Sequence, residues 1–389
     1  MIAIDLLILA IIAPITIVTA FFAVEVFAGL APARKEETVG PFPRTAIVVP
    51  AHDEAAVIAQ TLAELPGSES SVRVVVVADN CTDDTAGIAG SAGAHVVVRN
   101  DAERRGKGFA LAAAREFLRA DPPDVVVVLD ADCRIDLASL EALSTAAFCS
   151  RRASQAINLL APDLAAAPMV QISNFAFLIK NLIRQRGLQR LAGRAHLTGT
   201  GMAIPWDVFD AAELGGSNIV EDLALGLYLA RQAAPPLFVE SANVWSPSAP
   251  AGGTLVQRRR WEGGYVATAL KDAPPAFLSS FFRFDLPGVF GALDLAVPPL
   301  SLLVVLNTLA FLLGIALAFI GGLRWPVCVQ IAVALVALVA LAWAWIREGR
   351  RFASGMTLLR LPIYVLWKLP IYLGLVRRGV PKEWLRSGR

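Results

Sequence analysis

Thr45-Ala46-Ile47-Val48-Val49-Pro50-Ala51-His52-Asp53-Glu54 decides the fold. A β-branched apolar run stops at a proline and passes directly into a polar turn. Three further runs follow the same plan: Arg73–Ala78, His95–Arg99 and Val125–Leu129. Each is nearly continuous in apolar residues, as strands buried on both faces of a parallel sheet must be. Helix-like stretches at Glu54–Glu64, Thr85–Ala92 and Gly108–Arg119 alternate with them. Strand–helix alternation with right-handed crossovers predicts a doubly wound α/β sheet.

The polar residues fall where such a sheet uses them. Asp79-Asn80-Cys81-Thr82-Asp83-Asp84 follows the second run, and Asp130-Ala131-Asp132 closes the fourth. Ligands of open α/β sheets bind outside the carboxyl ends of the strands, so three acidic clusters there converge on one pocket. Neither G-x-G-x-x-G nor a P-loop follows the first strand, which excludes the usual dinucleotide and NTPase readings. An acidic pocket that accepts a phosphorylated ligand needs a divalent cation. Asp130 and Asp132, two apart at a strand end, point to one face and suit Mg2+ or Mn2+. The bland alternative for that tripeptide is a polar turn.

Outward from this core the composition changes. The 389 residues are 56% hydrophobic and only 17% charged, with a mean hydropathy of +0.58. Soluble domains carry about 25% charged residues. The net charge of +2 argues against a nucleic-acid binder. Four cysteines, none in a C-x-x-C, suggest no disulfide framework. The excess apolar residues sit at the ends: Leu6–Val24, Leu295–Leu323 and Trp325–Ile346 are uncharged runs of 19, 29 and 22 residues. A bilayer core needs roughly 20 apolar residues. Pro298 and Pro299 put the start of the second span after them. The first run could instead be a signal peptide cut near Ala31-Pro32-Ala33, but no basic residue precedes it. Leu361–Val376, interrupted by Lys368 and Pro370, either spans or lies in the interface.

Arg34, Lys35, Arg44, Arg347, Arg350 and Arg351 flank the spans. The positive-inside rule puts the middle region in the cytoplasm, so the expected location is the inner membrane, multi-pass. The expected division is an N-terminal span (1–30), a linker (31–43), a catalytic domain (44–252), interfacial amphipathic helices (253–294) and a C-terminal membrane region (295–389). Transport is poorly supported, because Asp5, Glu25 and Asp294 lie only near span ends.

The ordered set P-A-H-D-E, A-D-N-C-T-D-D-T, G-K-G, D-A-D, V-E-D and Q-R-R-R-W, from about Ile47 to Trp261, resembles that of membrane-bound family 2 glycosyltransferases. These include the synthases of cellulose, hyaluronan, chitin and poly-N-acetylglucosamine. The resemblance implies a GT-A fold, a UDP-sugar donor, inversion at the anomeric carbon, and a β-linked exopolysaccharide as product. A lipid-linked acceptor receiving one sugar is the alternative, and an inactive scaffold a distant third. With fewer spans than cellulose synthase, polymer export would call on a homo-oligomer or an export partner.

Roles carry over by position. Pro50, Ala51, Asp53 and Glu54 match the element that contacts the nucleoside, with His52 replacing the usual aromatic. Asp79 matches the reader of the uracil edge, and Lys107 a basic residue near the nucleotide. Asp132 with Asp130 matches the metal-binding D-x-D. Gly199-Thr200-Gly201-Met202 matches the floor of the acceptor site. Asp222, the last residue of V-E-D, matches the general base, with Glu221 beside it. Two acidic residues there also suit a helix N-terminus, which favours negative charge. Gln257, Arg260 and Trp261 match Q-x-x-R-W, the arginine facing the diphosphate and the indole an acceptor sugar. An interfacial helix with snorkelling arginines explains the same residues more plainly.

Overall fold

The computed structural model describes residues 2–32, 40–66, 71–215, 221–248 and 251–378. Arg34 and Lys35, Val220 of V-E-D, the basic tail after Arg378 and the side chain of Gln257 lie outside the described residues. The chain divides into two compact units. One comprises Pro32–Ala161 and Arg194–Pro247; the other comprises Met1–Ala31, Pro162–Gly193 and Ser248–Arg389. The expected catalytic stretch 44–252 is therefore interrupted: Pro162–Gly193 leaves it and joins the helical unit.

The first unit is an eight-stranded mixed sheet. Its strands are β1 Thr45–Ala51, β2 Val72–Asp79, β3 His95–Arg99, β4 Val125–Val128, β5 Arg134–Ile135, β6 Ser154–Leu160, β7 Met202–Pro205 and β8 Leu237–Ser246. The order is β3-β2-β1-β4-β7-β6-β8-β5. The four strands read from sequence form its parallel half. The sheet is not parallel throughout, because β7 runs antiparallel to both β4 and β6. Pro50 fits within β1 because pairing with β4 ends at Val48, so its missing N–H breaks no ladder on that side.

Alternate residues of β1 feed two cores, as the strand's period of two requires. Ile47, Val49 and Ala51 pack with Ile58, Leu140 and Leu143 on one face. Ala46 and Val48 pack with Ala110, Leu111 and Ala114 on the other. The covering helices are Ile58–Glu64 and Leu137–Ser150 on the first face and Lys107–Leu118 on the second. The Ile58 helix starts four residues later than its apolar pattern suggests, since Glu54 and the residues after it form a turn. Its Glu54 carbonyl accepts from the Val57 and Ile58 amides.

The second unit is helical. Among the described residues, three helices are long and apolar enough to cross a membrane: Ile4–Leu30, Leu300–Phe319 and Trp325–Gly349. The second begins directly after Pro299. Leu361–Arg378 is also helical, but its apolar part is shorter than these. The region expected as interfacial helices is a 32-residue helix, Ala251–Phe282, followed by Leu286–Ala296.

Pro168–Leu178, a π-type turn over Ile179–Arg184 and Gln185–Ala192 pack against the N-terminal helix. Glycines permit the close approach. A Cβ on Gly29 would run into the Ile183 carbonyl, and one on Gly187 into the Glu25 carbonyl. Arg184 donates from Nε to Glu25 at 2.6 Å and from Nη2 to the Asp294 carboxylate, with all three side chains buried. Glu25 and Asp294, two of the three span-end charges, thus share Arg184, while Asp5 accepts from the Leu323 amide at 3.0 Å. Leaving one such buried partner alone costs about 3–5 kcal/mol.

Candidate active site

The site is built at the carboxyl edge of β1, β2 and β4, from loops that the sheet sets side by side. Asp53 and Asn80, each at the turn after its strand, have φ of 54° and 52°. Short side chains that bond locally tolerate this left-handed conformation best. Asp53 accepts from the Thr82 amide at 2.6 Å and from the Thr82 hydroxyl at 3.1 Å. The Thr82 N–H holds its carboxyl below the usual range. Glu54 donates its amide to Thr85 Oγ1 at 2.8 Å. Asp83 accepts from the Thr85 hydroxyl at 2.5 Å and the Ala55 amide at 3.0 Å. Asp53, Cys81 and Asp83 hold ligand atoms within 4.8 Å of one another, but these hydrogen bonds account for the grouping.

Asp79, the last residue of β2, is 7% exposed. Its Oδ1 accepts from Arg99 Nη1 at 2.5 Å and Asn80 Nδ2 at 2.9 Å. Arg99 sits opposite Asp79 in the β2–β3 register and over the Phe109 ring. Sequence reasoning passed over Arg99; the signal was a cation closing a strand that pairs with an aspartate closing its neighbour.

Asp130 and Asp132 require a correction. β4 ends at Val128, so the alternation of a strand does not orient them. They lie in a turn closed by the Cys133 amide on the Asp130 carbonyl at 3.0 Å. Cys133 is buried against Ser246, and burial pushes its thiol up to about 12, so it is an inert packing residue.

Lys107 opens its helix and reaches the Asp130 carboxylate, and also the Gly199 carbonyl at 2.6 Å. Burial alone would lower its ammonium, but Asp130, Glu221 and Asp222 hold it above the usual lysine value. Gly199, at φ 87°, has its Cα turned toward Asp222: a Cβ there would lie 3.3 Å from Asp222 Oδ2 and 3.8 Å from Lys107 Nζ. Thr200 Oγ1 accepts from the Asp130 amide at 3.1 Å. Gly201, at φ 65°, passes where a Cβ would lie 2.8 Å from Val244. Gln155, unnoticed in the sequence, fixes this loop by donating to the Thr200 carbonyl at 2.9 Å and accepting from Thr198 at 2.9 Å. Glu221 and Asp222 begin the helix Glu221–Arg231. Burial, with the Asp222 carboxylate beside it, pushes Glu221 up to about 7.

Lys107, Asp130, Gly199, Thr200, Glu221 and Asp222 therefore form one cluster. Asp53, Glu54 and the Thr82–Thr85 turn form another. The Asp130/Asp132 turn offers hard carboxylate oxygens, the donor type that Mg2+ and Mn2+ take together with substrate phosphates.

Q-x-x-R-W belongs to the helical unit. Trp261 is half-buried, its ring 5.7 Å from Phe177, and the Arg258 guanidinium lies 5.2 Å from its centre.

A mixed α/β sheet with polar loops gathered at its parallel strand ends is the frame of a GT-A glycosyltransferase. Residues 43–264 match the model of the glycosyltransferase-like family 2, and the chain belongs to that family. Among solved structures it is similar to a mannosyltransferase from Pyrobaculum calidifontis, solved in complex with GDP-Man and Mn2+. The identity is 17% and the TM-score 0.56, over 94% of this chain and 99% of that one. Glucosyl-3-phosphoglycerate synthase from Mycobacterium tuberculosis, in complex with Mn2+, UDP and glucosyl-3-phosphoglycerate, is 20% identical. Its TM-score is 0.38, over 56% of this chain and 80% of that one. No curated protein matches.

Proposed function

We propose that this chain is an inverting, metal-dependent glycosyltransferase of the inner membrane that moves a hexose or N-acetylhexosamine from a nucleotide-sugar, UDP-linked on the sequence reading. The observation that carries it is the convergence of Lys107, Asp130, Gly199 and Asp222. Asp79, with Oδ1 taken by Arg99 and Asn80, offers its other oxygen to a base N–H. Asp130 and Asp132 would hold Mg2+ or Mn2+, which supplies positive charge to the donor diphosphate. Lys107 adds a second positive charge where the leaving diphosphate gathers negative charge. Asp222 takes the proton of the acceptor hydroxyl as that oxygen attacks, on the side opposite the leaving group.

Two acceptors fit the sequence, a growing exopolysaccharide and a lipid-borne one. The packing of Trp261 on Phe177 and Arg258 favours the lipid-borne acceptor, because these neighbours occupy the ring that a polymer end would stack on. The test offers purified protein in nanodiscs a panel of UDP- and GDP-sugars with Mg2+ or Mn2+. A single glycolipid band supports this reading, and a long polymer restores the exopolysaccharide. No turnover with any donor removes the enzyme reading.

A further inference from the structure

Within the helical unit, side chains from several helices bring charge into an otherwise apolar bundle. Glu262 accepts from the Lys368 ammonium and from the Tyr372 hydroxyl at 2.9 Å. Arg258, one turn before Glu262, is 7% exposed. Among the described residues it donates only to Ser173, from Nε to Oγ at 2.8 Å and from Nη2 to the carbonyl at 3.3 Å. Among the described residues no carboxylate pairs with it. Arg258, Lys368 and Glu262 therefore leave one positive charge unbalanced, in a place where burial makes imbalance costly.

A second observation points the same way. Tyr265 and Tyr372 are buried and their hydroxyls find partners. Tyr364 is 3% exposed, and its hydroxyl has no partner among the described residues. Buried polar groups are seldom left so, and each exception calls for an explanation. Lys368 lies over the Tyr364 ring at 5.3 Å, and the same ammonium reaches Glu262, one turn beyond Arg258. A buried guanidinium without a carboxylate partner and an unpartnered hydroxyl are the kinds of donor an oxyanion takes.

The same unit carries the three helices long enough to cross a membrane, so an anion reaching this cluster arrives on an apolar chain. We propose that Arg258 and Tyr364 bind the phosphate headgroup of a lipid. That phosphate belongs to a bilayer phospholipid or to a lipid-borne acceptor, and the chemistry of the site is the same for both. This inference does not depend on the transfer reading, since binding is measured with neither nucleotide nor metal present.

The full chain in detergent is titrated with phosphatidic acid and diacylglycerol, and with farnesyl phosphate and farnesol, reading melting temperature and native mass spectra. Each phosphate lipid should bind about tenfold more tightly than its uncharged counterpart, the worth of charge-assisted hydrogen bonds. Arg258→Gln should abolish that preference. Tyr364→Phe removes a hydroxyl that no protein group uses, so it should fold at least as stably as wild type while losing most of the preference. Farnesyl phosphate converted to a glycolipid when donor is added identifies the acceptor. Farnesyl phosphate bound but unconverted identifies a bilayer lipid. Equal binding of phosphate and uncharged lipids by wild type, or an unchanged preference in a well-folded Tyr364→Phe, overturns the proposal.

Discussion

The two units spend their charged residues in opposite ways. In the sheet unit, carboxylates and Lys107 gather at strand ends and come within reach of a ligand. In the helical unit Arg184, Glu25 and Asp294 are closed on one another with little exposure. Asp79 closes β2, and Lys107 opens a helix a short loop after β3. Arg184 meets partners 159 and 110 residues away in the chain. On the proposed function, charges of the first kind serve chemistry, while charges of the second kind join helices. The same residue types can thus be assigned roles only after their partners are known.

The largest effect on this contrast should come from removing the proposed base. Asp222→Asn should lower kcat by roughly 10²–10⁴-fold, the usual worth of a general base, with UDP affinity and melting temperature nearly unchanged. Near-normal kcat would move the base to Glu221. The mirror experiment in the helical unit is Arg184→Met. It removes the guanidinium that Glu25 and Asp294 share and should cost about 3–5 kcal/mol in denaturant unfolding. The surviving folded fraction should keep its donor KM. A lower kcat without lost stability would make the triad part of the chemistry.

Asp79→Ala tests a smaller effect. A nucleoside contact is made in ground and transition states alike, so KM for the donor should rise with kcat little changed. A fall in kcat at constant KM would contradict the assignment. Glu221→Gln is the finest probe. Its carboxyl titrates higher in the folded chain than in the unfolded one, so the native state binds the extra proton between about 4.5 and about 7. That contribution to stability is complete below the unfolded value and is lost as pH rises through about 7. Melting temperature followed from pH 5 to 8 should fall less in Glu221→Gln than in wild type.

The parallel half of the sheet was legible because β1 through β4 are short, β-branched and bounded by polar turns. β7 was not, since Met202–Pro205 is four residues long and its pairing partners lie far away in sequence. Lys107, Gly199 and Asp222 could be named from motifs, but their meeting depends on the positive φ of Gly199, which no local pattern announces. Pro168–Ala192, expected within the catalytic stretch, belongs to the helical unit, where its cations find partners: Arg184 on Glu25 and Asp294, and Arg190 on the Ala28 carbonyl at 2.7 Å. Asp130 and Asp132 follow β4, but a turn and not the alternation of a strand positions them.

The central claim is that the Asp130/Asp132 turn and its neighbours hold a nucleoside diphosphate through a divalent cation. The most direct test is Mn2+ retention, followed by electron paramagnetic resonance as UDP is added, in wild type, Asp132→Asn and Asp222→Asn. UDP should tighten Mn2+ binding in wild type and in Asp222→Asn. In Asp132→Asn that tightening should vanish, because an amide is a poor ligand for a hard cation. Equal, UDP-dependent Mn2+ binding in Asp132→Asn and wild type would contradict it.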